Sequence, residues 1–311
     1  MPHPSQSKRF RVIPSEQGLT LRSMLSRRLR EFDRRQTTAL IRAGGVYVNR
    51  LRIRIPNVVV APGERITVYT QALDAVPLTP EQLVFVHRSP EFVILDKPPG
   101  IPVSPIRETA IGCLSEALVR LLESEGHNRP YVGIVHRLDR GASGLVLFTT
   151  RDIANKSLHQ QFRDHDIHRS YRIRVTGAPP PTVTCDVPLT KLRDGGVSIG
   201  ESANAKSART HFRLLASFPD PDGGPPEHLL EAVLETGRTH QIRAHASHLG
   251  FPVVGDHRYG DHSNTPSNTG AASPPEVHDR LYLHAQTLEF RHPISDKPIR
   301  VEAPLPDWAR G

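Results

Sequence analysis

Long apolar runs, clustered cysteines and aromatic side chains are all scarce in this 311-residue chain. No apolar stretch approaches the roughly 20 residues of a membrane-spanning helix, so no membrane association is expected. Only Cys113 and Cys185 are present, far apart and in no metal-like spacing. That excludes a disulfide framework and a zinc–thiolate centre. The segment "MPHPSQSKRFRVIP" lacks the apolar core of a secretion signal. The expectation is a disulfide-free cytoplasmic protein. Neither a Walker-type phosphate loop nor a dinucleotide fingerprint occurs.

What is present describes a globular chain, with 37% hydrophobic and 23% charged residues. Its length suffices for one large domain or two smaller ones. The net charge is +8, and it is unevenly spread. Residues 1–70 hold 14 Lys and Arg against Glu16, Glu31, Asp33 and Glu64, a net +10, which leaves −2 for the rest. A basic end on a nearly neutral body points to a polyanion-binding module.

Residues 1–17 read as a flexible tail. Thr20 is a suitable N-cap for a helix in which Leu21, Leu25 and Leu29 recur at helical spacing. A second helix is expected from Arg34 to Ala43, ended by Gly44–Gly45. Short strands follow in "VYVNRLRIR" and "NVVVAPGERITVY". This unit, residues 18–70, resembles the S4 RNA-binding domain, in which the second helix leads into "GxVxVNG"; here the stretch reads "GGVYVNR". Arg50 replaces the usual turn glycine. The resemblance implies that Arg27, Arg28, Arg34, Arg35 and Arg42 meet an RNA backbone. Residues 71–83 read as a linker and 84–311 as a second domain, with 261–280 a flexible loop. On these boundaries, deleting residues 1–75 leaves a folded body. That body alternates strands and helices without a regular βαβ rhythm, so its class is α+β.

The chemistry-bearing stretch is "IVHRLDRGASGLVLFT", residues 134–149. Leu145–Phe148 form an apolar run bounded by Gly144 and Thr149–Thr150, the mark of a strand buried on both faces. Before it, Asp139 stands between Arg137 and Arg140 in a glycine-punctuated loop. A structural salt bridge at a strand entrance is one reading. A rigidly held carboxylate acting as nucleophile or base is the other. Arg243, on an expected helix after "TGRTHQ", is a candidate partner, and Tyr171 shares its strand face with Ile173 and Val175. His240, His245 and His248 are five and three apart, unlike the i, i+4 pair of a zinc helix, so no metal site is expected. Ser143 lacks the G-x-S-x-G frame of a nucleophile elbow.

The motifs "DKPPGIPVSP", "HRLDRGASGLVLF", "LETGRTHQIRAHASHLGFPVVGDHRYG" and "LHAQTLEFRHP" together resemble the RluA-type pseudouridine synthase family, from about Val84 onward. The resemblance implies a mixed, largely antiparallel central sheet with flanking helices. It implies an enzyme that detaches a uracil within RNA, turns it and rejoins it through carbon 5, with no cofactor. It assigns Asp139 as the catalytic aspartate and Arg243 as its ion-pair partner. Tyr171 corresponds to the tyrosine on the target base, and Arg137 to the arginine that fills the flipped base's space. Ala142 stands where the family usually has Thr, and Arg169 where it has Lys. The implied partner is RNA, ribosomal ahead of transfer RNA, and the protein is expected to be a monomer. A non-catalytic S4-type RNA-binding protein is the alternative.

Overall fold

In the computed structural model, which describes residues 7–219, 224–260 and 281–310, the helix expected from Thr20 runs as α1 (Leu21–Arg28). The Thr20 hydroxyl accepts the Ser23 N–H at 3.2 Å, a cap that contributes about 1 kcal/mol. α2 (Arg34–Arg42) starts from an Asp33–Gln36 capping box, and Gly44 follows with φ +76°. Leu21, Met24, Leu25, Leu40 and Ile41 form one apolar cluster with side chains from β2 (Val46–Val48) and β4 (Arg65–Tyr69). β3 (Leu51–Ile53) pairs with β2 through a tight turn in which Asn49 and Arg50 have φ of 49° and 75°. Arg50 therefore holds a left-handed conformation that glycine adopts without strain.

The expected tail is corrected by β1 (Ser7–Arg11), which pairs antiparallel with β4. Val12 is buried and Phe10 packs on the same cluster, so this short, mostly polar segment is held by an unpaired sheet edge. Residues 1–6 lie outside the described residues, as does the expected loop 261–280.

The domain boundaries also differ from expectation. The described residues up to Gln82 form one unit together with Ser104–Arg129, and Leu83–Val103 forms the other with those from Pro130 onward. The segment containing α3 (Leu114–Ser124) thus joins the basic unit. Ala43 O accepts both Ala110 N–H at 2.8 Å and the Thr109 hydroxyl at 3.1 Å. Residues 71–82 are no free linker: Ala72 and Leu78 are buried, and Leu78 O accepts from Arg120. Deleting residues 1–75 would remove Ala43 O, the acceptor that holds Thr109 and Ala110 ahead of α3.

The second unit is built on a ten-stranded sheet. In chain order its strands are β5 (Val84–Arg88), β6 (Phe92–Lys97), β7 (Gly133–Ile134), β8 (Ser143–Thr149), β9 (His168–Val175), β10 (Thr182–Cys185), β13 (Thr210–Phe218), β14 (Glu227–Leu234), β15 (Leu283–Arg291) and β16 (Pro298–Glu302). They lie in the order β10-β13-β14-β9-β15-β8-β6-β5, with β16 on β15 and β7 on β8. Every pairing is antiparallel except β15–β8. The hairpin of β11 (Leu189–Lys191) and β12 (Val197–Ile199) stands apart from it. Among the described residues the unit also holds two α-helices, α4 (Asp152–Asp164) and α5 (Gln241–His248). The α+β, largely antiparallel architecture is the one expected. β8 lies inside the sheet between β15 and β6, which is why its Leu145–Phe148 run is apolar on both faces.

Candidate active site

The loop that carries Asp139 is fixed from several sides. Ala142 N–H donates to Asp139 O at 3.1 Å, closing a turn just before β8. At Gly144, φ is +102°, and a Cβ would lie 2.3 Å from Ala285 O and 2.5 Å from Ala285 N. Only glycine permits β15 to approach β8 so closely at this point. Beside that contact, Ser143 Oγ and His284 Nδ1 are 2.9 Å apart.

Lys97, the last residue of β6, is fully buried. Its Nζ donates to Pro98 O at 2.9 Å, Ile101 O at 2.7 Å and Arg140 O at 2.9 Å. These acceptors match the three N–H bonds of an ammonium. Burial pushes the Lys97 pKa down to about 7, opposed by the nearby Asp139 charge. Gly100 N–H also donates to Arg140 O, and Arg140 Nε to Gly100 O, each at 2.8 Å. The "DKPPG" loop is therefore clamped to the Asp139 loop. None of these bonds needs a hydroxyl at position 142, where buried Ala142 stands.

Burial holds His136 neutral, with a pKa near 3. Its Nε2 accepts the Leu147 N–H at 3.0 Å, and its ring stacks on Phe162. This histidine fastens the loop to β8.

Arg243, in the first turn of α5, reaches Asp139 across a long stretch of sequence: Nη1 lies 2.8 Å from Oδ2. The same guanidinium donates Nε and Nη2 to the two oxygens of Asp256, at 2.7 and 2.8 Å. The Asp256 side chain is completely buried and also accepts the Arg258 and Tyr259 N–H groups. Burial opposes the charge on Arg243, but the two carboxylates outweigh it and raise its pKa. Burial likewise opposes the Asp256 charge, and Arg243 reverses that to lower its pKa. His240 caps α5 with Nε2 3.7 Å from Asp139 Oδ1. His245, in contrast, is tied to Thr210 and Val187 O.

Tyr171, on β9 between Ala232 and Ala285, is buried. Burial raises its pKa, the Arg169 charge lowers it and that of Asp139 raises it. Arg169 is itself buried, its guanidinium over the Phe162 ring. Arg137 is exposed and makes no ion pair among the described residues. In the first unit, Arg27, Arg28, Arg34, Arg35 and Arg42 are all exposed; Arg28 is tied to Glu16 at 2.6 Å. Sequence reasoning missed Lys97, Asp256 and Tyr259. They lie inside the quoted "DKPPG" and "GDHRYG" stretches, where a lone charge or tyrosine between turn residues has no periodicity to mark its partner.

The chain shares this arrangement of sheet and motifs with known proteins. The family model for RNA pseudouridylate synthase matches residues 91–248. This chain belongs to that family. It is 31% identical over 306 residues to ribosomal large subunit pseudouridine synthase D of Xanthomonas campestris pv. campestris, covering 97% of this chain and 90% of that protein. It is also 31% identical over 316 residues to ribosomal large subunit pseudouridine synthase C of Yersinia pestis, covering 96% and 92%. Among solved structures, human RNA pseudouridylate synthase domain containing 1 has the same fold, with a TM-score of 0.58 at 24% identity over 74% of this chain and 86% of that one. As a member of the RNA pseudouridylate synthase family, the protein is an isomerase that converts uridine within RNA to pseudouridine.

Proposed function

We propose that this enzyme modifies uridines of large-subunit ribosomal RNA, with Asp139 as the catalytic carboxylate. The observation that carries the reading is the Asp139–Arg243 ion pair at 2.8 Å, formed in a loop clamped by Lys97 and Gly144. The ribosomal substrate is supported by the names of the two full-length relatives. In the reaction the carboxylate acts while the N1–C1′ glycosidic bond breaks; the uracil turns, C1′ bonds to C5, C5 gives its proton to solvent and N1 takes one from solvent. Nothing is added or removed, which is the basis for a cofactor-free mechanism. The base must leave its stack to expose the glycosidic bond. Buried Tyr171 supplies a flat ring for it, and exposed Arg137 a side chain to fill the gap. The basic first unit acts as an S4-type grip on the RNA backbone, through Arg27, Arg28, Arg34, Arg35 and Arg42. Two free, buried cysteines suit a reducing cytoplasm, and the working form is a monomer.

The test uses large-subunit ribosomal RNA transcribed with tritium at uridine C5. Tritium release and a mapped pseudouridine are expected from the wild-type protein. Asp139→Asn should lower turnover by about 10⁴-fold while RNA affinity stays within a few-fold. Release by the Asn variant at a substantial rate would refute the assignment. Release from transfer RNA alone would refute the ribosomal substrate.

A further inference from the structure

His240 has a left-handed backbone, φ +51°, at the N-terminus of α5. A non-glycine residue keeps such a conformation only where its surroundings over-determine it. The imidazole of this residue makes two contacts. Nε2 faces Asp139 Oδ1 at 3.7 Å, the oxygen that Arg243 leaves free. Nδ1 lies 2.9 Å from the Tyr259 hydroxyl.

That hydroxyl decides which ring nitrogen carries the proton. Its oxygen accepts the Val197 N–H at 2.9 Å. A phenol has a single hydrogen to donate. Among the described residues, the acceptor within its reach is His240 Nδ1. An imidazole that accepts at Nδ1 and is neutral bears its hydrogen on Nε2. Burial favours the neutral ring, against the pull of Asp139. The ring therefore turns an N–H, rather than a lone pair, toward the carboxylate.

We propose that His240 is a positioning residue for Asp139, held by Tyr259 in the tautomer that presents Nε2–H to Oδ1. The proposal rests on the reading of Asp139 as the catalytic carboxylate. At 3.7 Å the N–H is beyond hydrogen-bond length, so it orients the free enzyme's carboxylate through its dipole. Catalytic contacts of this kind tighten when substrate binds. Arg243 and His240 together address both oxygens of Asp139 from the start of one helix. The opposite tautomer would set a lone pair against a carboxylate oxygen and repel it.

The test compares single-turnover rates and RNA affinity in four variants of the full chain: His240→Leu, His240→Gln, Tyr259→Phe, and Tyr259→Phe combined with His240→Gln. His240→Leu should lower the rate by about 10- to 100-fold with RNA affinity nearly unchanged. His240→Gln, whose amide nitrogen always bears hydrogens, should return to within about 5-fold of wild type. Tyr259→Phe keeps the ring over Arg243 and removes only the oxygen. It should cost about 5- to 10-fold in the wild-type background and less than about 2-fold in the His240→Gln background, because an amide has no tautomer to select. If His240→Leu fails to fold, the two Tyr259→Phe comparisons still decide. Equal factors in both backgrounds would overturn the proposal. So would a fully active His240→Leu, provided Asp139→Asn is inactive; an active Asp139→Asn would instead overturn the reading beneath it.

Discussion

Arg243 gives Asp256 two nitrogens and Asp139 only one. The asymmetry follows burial. Asp256 has no solvent to stabilise its charge and takes the bidentate pairing. Asp139 is partly exposed and keeps an oxygen out of the guanidinium's reach. Asp256 thereby orients the arginine that orients the carboxylate.

Asp256→Asn should be costly in two separable ways. Removing one partner of a buried pair leaves Arg243 undercompensated, so stability should fall by about 3 kcal/mol. Turnover should fall by about 10-fold or more while RNA affinity changes little. The native Asp256 pKa is lowered, so its pairing stabilises fully above the unfolded carboxylate value near 4 and is lost as pH falls through the native value. Urea midpoints between pH 6 and 3 should fall less steeply in the variant. Equal slopes would show that this pair does not contribute to acid unfolding.

Lys97 gives a slope of the same sign in a higher pH window. Its native pKa of about 7 lies below the unfolded value near 10.4. Between these the unfolded chain binds more protons, so stability should rise with pH from about 7 to 10. The gain is on the order of a few kcal/mol at most. Lys97→Met should be less stable near pH 7, having left three carbonyls without a donor, and should lack this rise. Denaturant midpoints at pH 6.5, 8 and 9.5 in both proteins measure it. A parallel rise in both would assign it to other groups.

The basic unit is best probed by substitution, since Ser104–Arg129 folds with it. Changing Arg27, Arg34, Arg35 and Arg42 to Gln should weaken RNA binding and make log affinity against log salt shallower by about 2 to 3, at about 0.7 per lost phosphate contact. The rate at saturating RNA should change little. Unchanged salt slopes would place the RNA elsewhere.

Arg50 carries a strained turn. Arg50→Gly should stabilise the β2–β3 hairpin by about 0.5 to 1 kcal/mol, because glycine holds φ near 75° without steric cost. The thermal midpoint should rise by a degree or more. A lower midpoint would mean that the greater freedom of the unfolded glycine chain outweighs the relieved strain.

Much of the architecture was legible before any coordinates. Thr20 and Gly44 mark helix ends through chemistry that acts within one turn. The unbroken run Leu145–Phe148 marks an interior strand, and the alternation at Tyr171, Ile173 and Val175 marks a buried face. The resemblance of four ordered motifs directed attention to Asp139 and Arg243, which lie 2.8 Å apart. By themselves, however, those two residues could equally have formed a structural salt bridge.

By itself, then, the sequence determined the local elements, the basic end and the short set of chemical groups around Asp139. Only the tertiary structure decided that β1 completes the first sheet, that Ser104–Arg129 leaves the second unit for the first, and that Asp256, Tyr259 and Lys97 stand behind the site. The reason is range. Caps and periodicity are settled by neighbours a few residues away. A buried charge finds its partner only when loops from distant strands are packed together, at approaches as close as Gly144 on Ala285, and no local pattern records that meeting.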